Sequence, residues 1–145
     1  MLFQNEEASL KLDIMNYELP VDGGAPDSDD RNWLVLRCTW VNDEGRILKD
    51  SNSCLLTYEL QEMTAGLKVV KAGLKPRYES EFSEPYFMLS ADAEGETFRF
   101  FVSFTLPNTM EDEDVAELYA TMNMEEMTEL IRELDRLCAK FPDRM

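Results

Sequence analysis

Three cysteines are the most reactive residues of this sequence, and their spacing limits what they can do. Cys38, Cys54 and Cys138 are widely separated and form no Cys-x-x-Cys pair. An odd number of isolated cysteines predicts neither a disulfide framework nor a zinc site. Cys54 falls at the predicted start of a helix, where a thiolate is stabilised, but no partner motif accompanies it. We interpret all three as packed thiols in a reducing cytoplasm.

The chain contains no histidine, which removes the commonest general base near neutral pH. A Ser-His-Asp triad, a Cys-His pair and a His-ligated zinc site are therefore excluded. Glu59 and Glu84 lie near apolar residues and are candidates for acid–base work, although structural positions in a helix and a turn are the favoured interpretation. We predict a protein that is not an enzyme and has no catalytic residue, cofactor or metal ion.

Three segments resemble ligand-binding loops only superficially. Residues 66–73 lack the Gly-Lys-Ser/Thr ending of a phosphate loop and lie within a predicted helix. Residues 27–30 begin like a calcium loop, but Arg31 stands where a ligand belongs and Asn32 where glycine is required. Residues 111–114 are consecutive carboxylates, which do not converge on one ion unless the loop folds around it.

The distribution of charge is the most informative feature of the composition. The net charge is −16, from 30 acidic and 14 basic residues. This value argues against binding to nucleic acid and to an anionic membrane surface. Residues 12–30 and 107–131 together hold fourteen acidic residues and no basic one, whereas residues 31–106 are nearly balanced. The two stretches are either solvated loops that favour solubility or a docking surface for a basic protein partner.

We predict that carboxylates within these two stretches contact such a partner by mimicking phosphate groups. The predicted contact residues are Asp27, Asp29, Asp30, Glu111, Asp112, Glu113 and Asp114. The order of residues along the chain does not show whether the two stretches meet in space.

Hydrophobic periodicity predicts the elements that position these side chains. We predict strands at residues 9–19 (with a bulge), 33–41, 46–49, 78–82, 86–91, 97–105 and 115–122. In a first helix, Asp50, Ser51 and Ser53 offer N-caps and Gly73 provides the stop. Its core stripe comprises Leu56, Leu60, Met63, Leu67 and Val70.

A second helix is predicted at the end of the sequence, where Asn123 and Glu126 form a capping box and Pro142 is the stop. Its predicted stripe comprises Met124, Met127, Leu130, Ile131, Leu134, Leu137, Cys138 and Phe141. The 145 residues suit a single domain. The predicted fold class is α+β, with an antiparallel β-sheet packed on one face by two α-helices.

Several short motifs occur in a fixed order along the chain: Asn-Trp-Leu at residues 32–34, Cys-Leu-Leu-Thr-Tyr-Glu-Leu at 54–60, Glu-Pro-Tyr-Phe at 84–87, Glu-Leu-Asp-Arg-Leu at 133–137 and Phe-Pro-Asp-Arg at 141–144. Together these motifs resemble the WapI-type bacterial immunity proteins, which are antidotes to wall-associated contact-dependent toxins. The resemblance implies a cytoplasmic antidote that binds and blocks the nuclease domain of its toxin. It carries over no catalytic residue. The recurrent residues Trp33, Leu55, Leu56, Glu84 and Pro85 look architectural.

Two other classes of function stay open. One is a structural or regulatory interaction module, such as a homodimer, which exposed Trp33 or Tyr86 beside methionines would favour. The other is a small enzyme that uses carboxylates or Cys54 and needs a deep pocket. The opening residues lack the basic segment of a signal peptide, and no stretch approaches the ~20 apolar residues of a membrane span, so we expect a soluble cytoplasmic protein.

Overall fold

Four strands followed by a helix occur twice along the chain. The computed structural model describes residues 1–19, 30–106 and 115–144. The first half contains β1 (Leu2–Gln4), β2 (Ser9–Tyr17), a 3-10 turn (Asp30–Asn32), β3 (Trp33–Val41), β4 (Ile47–Leu56) and α1 (Thr57–Lys71). The second half contains β5 (Arg77–Glu79), β6 (Phe87–Glu94), β7 (Thr97–Thr105), β8 (Val115–Asn123) and α2 (Met124–Lys140).

The described strands form two antiparallel sheets in which sequence neighbours pair. The strand orders are β1-β2-β3-β4 and β5-β6-β7-β8. The α+β class, the antiparallel pairing and the two helices are thus confirmed. The strands form two sheets, whereas the prediction described one sheet. Periodicity shows which face of a strand is buried, but it does not show that α1 separates β4 from β5.

The two sheets and both helices enclose a common core. Helix α1 packs on β4 of its own sheet and on β5 and β6 of the other, while α2 packs on α1, β7 and β8. The rings of Phe3 in β1 and Phe100 in β7 have centroids 5.7 Å apart, so the two sheets meet through their inner faces. Burial of each such ring stabilises the fold by roughly 1.5–3 kcal/mol.

Strict alternation of side chains determines which residues of the second sheet reach this core. In β8, buried and exposed residues alternate along the whole strand, and the buried ones are Ala116, Leu118, Ala120 and Met122. The predicted strands at residues 97–105 and 115–122 are confirmed. The predicted bulge in the first long strand is also confirmed, because the β2–β3 register shifts between Ile14 and Asn16.

The predicted start of the first helix is wrong. Asp50, Ser51 and Ser53 lie in β4, which runs on to Leu56, and α1 begins at Thr57. Asp50 pairs with Cys38 and Leu55 with Leu34 across the β3–β4 ladder. These non-local backbone hydrogen bonds outweigh the local capping propensity of Asp and Ser.

The predicted capping box of α2 is confirmed. The Glu126 N–H donates to Asn123 Oδ1 over 2.8 Å, and the Asn123 N–H donates to Glu126 Oε1 over 3.1 Å. Met124, which was placed on the buried stripe, is instead 47% exposed. The whole first turn of α2 faces solvent, and the buried stripe begins at Met127. Phe141 at the end of the helix is buried as predicted.

The segment that superficially resembles a phosphate loop has a packing role instead. Gly66 lies within α1 against Tyr78 of β5, and a Cβ at position 66 would stand 2.3 Å from Tyr78 Cδ1. Glycine inside a helix costs about 0.5–1 kcal/mol relative to alanine. This cost is offset because only glycine allows α1 to approach the ring so closely. Gly73, at φ +76°, provides the predicted stop after α1.

We expect Gly66→Ala to lower the free energy of unfolding by about 1–3 kcal/mol, because the methyl group displaces the Tyr78 ring. In a Tyr78→Ala background, the same change should be neutral or stabilising, as helix propensity alone dictates. Urea denaturation of the four proteins of this double-mutant cycle measures the coupling. Equal effects in both backgrounds would contradict the steric explanation.

Candidate functional site

Two of the three thiols, those of Cys38 and Cys54, are unsuited to nucleophilic chemistry. Cys54 lies near the end of β4 and is fully buried, so its expected position at a helix N-terminus is wrong. Burial, helped by Glu59 and Glu84, raises the pKa of its thiol to about 12. Burial, helped by Asp50, raises the pKa of Cys38 to about 12. Both thiols are therefore protonated at neutral pH and serve as packing groups, as predicted.

We expect Cys38 and Cys54 to react with iodoacetamide at least about a hundredfold more slowly in the native protein than in urea. Partly exposed Cys138 provides the internal comparison, and mass spectrometry of digests measures all three. The two folded pKa values lie above the ordinary value of 9.0. Their contribution to stability is therefore complete below pH 9 and is lost as pH rises toward 12. Fast labelling of Cys54 in the native protein would contradict its assignment as a buried, protonated thiol.

Glu59, a candidate for acid–base work, forms buried hydrogen bonds that connect two segments of the fold. Its side chain is 3% exposed. Oε1 accepts the Leu56 N–H over 3.0 Å, and Oε2 accepts the Ser83 N–H over 2.7 Å. The carboxylate thus ties the start of α1 to the segment before β6. Both of its oxygens are engaged by backbone groups, which fits the structural interpretation of this residue.

We expect Glu59→Gln to lower the free energy of unfolding by about 1–3 kcal/mol, because an amide has one acceptor oxygen where the carboxylate has two. Glu62→Gln, an exposed position of the same helix, is the matched control and should change stability little. Thermal unfolding monitored by circular dichroism measures both variants. Equal stability of the two variants would show that the hydrogen bonds of the Glu59 carboxylate contribute nothing to stability.

Most of the predicted contact residues lie outside the described part of the chain. Asp27, Asp29, Glu111, Asp112, Glu113 and Asp114 fall in the two stretches that are not described, and Asp30 begins the 3-10 turn. Their contact role remains a prediction. The described acidic residues of the same two stretches, however, have defined positions, and these positions differ between the stretches.

Asp13, from the first acidic stretch, lies on the outer face of the first sheet among basic residues. Its Oδ2 is 3.8 Å from Arg37 Nη2 and 4.0 Å from Lys11 Nζ. These cations partly neutralise it. Asp13 lines neither of the grooves in which the described acidic residues of the second stretch lie.

The described acidic residues of the second stretch gather beside β1. An open groove of about 450 Å³, here called the helix groove, lies between β1 and α2. Its apolar lining comes from Leu2, Met122 and Leu130. Its charged and polar lining residues are Gln4, Glu125, Glu126, Glu129, Glu133 and Arg136. The N-terminal end of α2 favours the carboxylates of its first turn through the helix dipole.

A second groove of about 310 Å³ lies where the ends of the two sheets meet, and we call it the sheet-end groove. Its lining residues are Asn5, Glu7, Ala8, Trp40, Asp43, Glu117, Leu118 and Tyr119. Both grooves include residues of β8, which lies beside β1; β1 lines the helix groove and the turn after it lines the sheet-end groove. Asn5 and Tyr119, which both line the sheet-end groove, are joined by a hydrogen bond in which Asn5 Nδ2 donates to the Tyr119 carbonyl over 2.9 Å.

The tertiary structure adds carboxylates that sequence reasoning missed. Glu7, Asp43 and Glu133 lie outside both acidic stretches, yet they line these grooves beside Glu117 and Glu125. No local signal identifies them, since each is an ordinary charged residue of a turn or a helix. Only the adjacency of β1 and β8 shows that they belong together.

The outer face of the second sheet carries cations whose charges are already engaged. Arg77 donates to both carboxylate oxygens of Asp92 over 2.7 and 2.8 Å. The guanidinium of Arg99 lies 4.6 Å from the centre of the Tyr119 ring. Within residues 1–19, 30–106 and 115–144, no three metal-binding side chains cluster closely enough to hold an ion. Nor does either helix of those ranges have the length and apolar character needed to cross a membrane.

The model of the immunity protein WapI-like family matches residues 1–142. The chain therefore belongs to the WapI-like immunity protein family, which confirms the resemblance found in the sequence. Membership in a family of immunity proteins implies a non-enzymatic role in which the protein binds a toxin partner.

The other comparisons add little. No curated protein sequence matches the chain. Among solved structures, the crystal structure of WHY1 from Arabidopsis thaliana is similar with a TM-score of 0.49 and 16% identity, over 97% of this chain and 88% of that one. At this identity and TM-score, the likeness carries no argument about function.

Proposed function

We propose that this protein is a cytoplasmic antidote that neutralises a nuclease toxin by covering the basic surface on which the toxin holds its substrate. The observation that carries the proposal is the gathering of carboxylates from distant parts of the chain along the β1–β8 junction. A nuclease must present cations to nucleic-acid phosphates. An acidic protein can occupy the same cations and prevent the substrate from binding.

The electrostatics favour fast association more than a large binding energy. The net charge of −16 produces a field that steers a basic partner toward the protein. Exposed carboxylates at the edge of an interface mainly raise the association rate, while buried anchors determine the lifetime of the complex. Both acidic grooves also offer apolar surface from residues such as Leu2, Met122 and Trp40, which provides for such anchors.

The test screens purified toxin nuclease domains from the source organism and measures the association rate and the activity of the one that this protein binds. We expect an equimolar amount of the protein to abolish the activity. We expect Glu125→Gln with Glu129→Gln to lower the association rate about tenfold at low salt and less at high salt. Glu81→Gln with Glu96→Gln is the matched control, because these exposed carboxylates line neither acidic groove.

Further outcomes test the antidote function and the role of the helix groove separately. Full nuclease activity in the presence of the protein would contradict the antidote function. Equal losses in the two double variants would contradict the role of the helix groove. A third variant replaces the acidic residues at 27, 29, 30 and 111–114 by their amides and tests the loop contacts. If its binding and salt dependence are unchanged, those loops are not part of the interface.

The alternative is a structural or regulatory module that self-associates without a toxin. Exposure of Trp33 or Tyr86 would favour this alternative, but both side chains are only partly exposed. The outer face of the second sheet supports it better, since Met88, Val115 and Tyr119 are 42–55% exposed there. A mass in solution that rises with concentration, together with no inhibition of the nuclease, would favour this alternative.

A further inference from the structure

The sheet-end groove differs from the helix groove because aromatic side chains form its wall. We propose that it receives an arginine side chain of the toxin, which stacks on Trp40 while its guanidinium meets the carboxylates of Glu7, Asp43 and Glu117. This inference rests on the proposed function, since it names the residue type by which the basic partner is recognised. It concerns a position that the sequence did not indicate.

The wall of the groove suits the long apolar stem and flat head of arginine. Trp40 is partly exposed and packs against the core, so its ring is held in place. Leu118 and Tyr119 continue the wall along β8. A guanidinium stacks well on an aromatic face, and tryptophan provides the strongest cation–π attraction. Arg99 already lies against the Tyr119 ring, which leaves Trp40 as the stacking surface.

The charge around the groove is complementary to a cation and comes from three separate segments. Glu7 lies in the β1–β2 turn, Asp43 in the β3–β4 turn and Glu117 in β8, and all three are exposed. Among the described residues that line the groove, none is basic. An apolar side chain could fill the same space, but it would leave this negative charge without a partner.

The three carboxylates do not form a compact metal-binding cluster. They belong to the described chain, in which no cluster of side chains is tight enough to hold a metal ion. A guanidinium presents five N–H donors in one plane and can reach carboxylates on several sides. A lysine ammonium is a compact and strongly hydrated charge with no flat face to stack.

The groove is organised before any partner arrives. Asn5 Oδ1 accepts hydrogen bonds from the N–H groups of Glu7 and Ala8 over 2.8 and 2.9 Å, and Asn5 Nδ2 donates one to the Tyr119 carbonyl. Asn42 Oδ1 accepts the N–H groups of Glu44 and Arg46 over 3.0 and 2.9 Å and so shapes the turn that carries Asp43. A preformed site loses little conformational entropy on binding, which favours affinity.

The test titrates the intact protein with capped tetra-arginine and follows the two tryptophan indole N–H signals by NMR. Trp33→Phe and Trp40→Phe assign the signals. We expect the Trp40 signal to shift with saturation and the Trp33 signal to stay in place. We expect tetra-lysine to bind at least about threefold more weakly than tetra-arginine, because it lacks the stacking contribution.

The chain offers a matched control for the carboxylates. Glu7→Gln with Asp43→Asn should weaken tetra-arginine binding at least about threefold more than Glu6→Gln with Glu44→Gln does. Glu6 and Glu44 are the exposed neighbours in the same two turns, and they do not line the groove. Both double variants remove the same net charge, so a difference between them measures the groove and not the overall field.

Several results would overturn the inference. They are equal weakening by the two double variants, an unmoved Trp40 signal, and equal binding of tetra-lysine and tetra-arginine. If the Glu7→Gln, Asp43→Asn variant binds the nuclease as well as the unchanged protein does, the inference about the groove is overturned while the antidote function stands. Selective binding of tetra-arginine at Trp40 without binding of the nuclease would support the groove and contradict the proposed function.

Discussion

The structure depends on the packing of two antiparallel sheets through their inner faces into one hydrophobic core. Phe3 of the three-residue edge strand β1 and Phe100 of β7 meet in that core, and β1 also lies beside β8. Both helices close the same core, one from each half of the chain. The surface that carries the acidic grooves exists only because this packing brings the two strands together.

The same packing explains how so much negative charge is arranged without loss of the fold. The inner faces of the sheets are mostly apolar, and the buried carboxylate of Glu59 in α1 accepts hydrogen bonds from two backbone N–H groups. The carboxylates that line the grooves lie in turns, at outer positions of β8 and on α2, and most of them are exposed to water, which screens them. Glu133 is instead 2.7 Å from the N-terminal ammonium. Self-repulsion is thereby kept modest, while the field outside the protein remains strong and directional.

Local patterns predicted much of the fold but failed where distant pairing decided the outcome. The strands around Trp33–Val41 and Thr97–Thr105 alternate clearly, and the Asn123–Glu126 capping box needs only neighbouring residues, so each was predictable. The start of α1 was not, because residues 50–56 pair with β3 across the sheet. The exposure of Met124 likewise depends on where α2 first meets the core.

The sequence alone determined the class of the protein, its charge, its family and the absence of histidine chemistry, since each follows from composition, local periodicity or ordered motifs. The tertiary structure alone decided that the strands form two sheets and that Glu7, Asp43 and Glu117 surround one groove beside Trp40. The physical reason is that periodicity describes which face of an element is buried, whereas adjacency between elements comes from non-local packing of their buried faces.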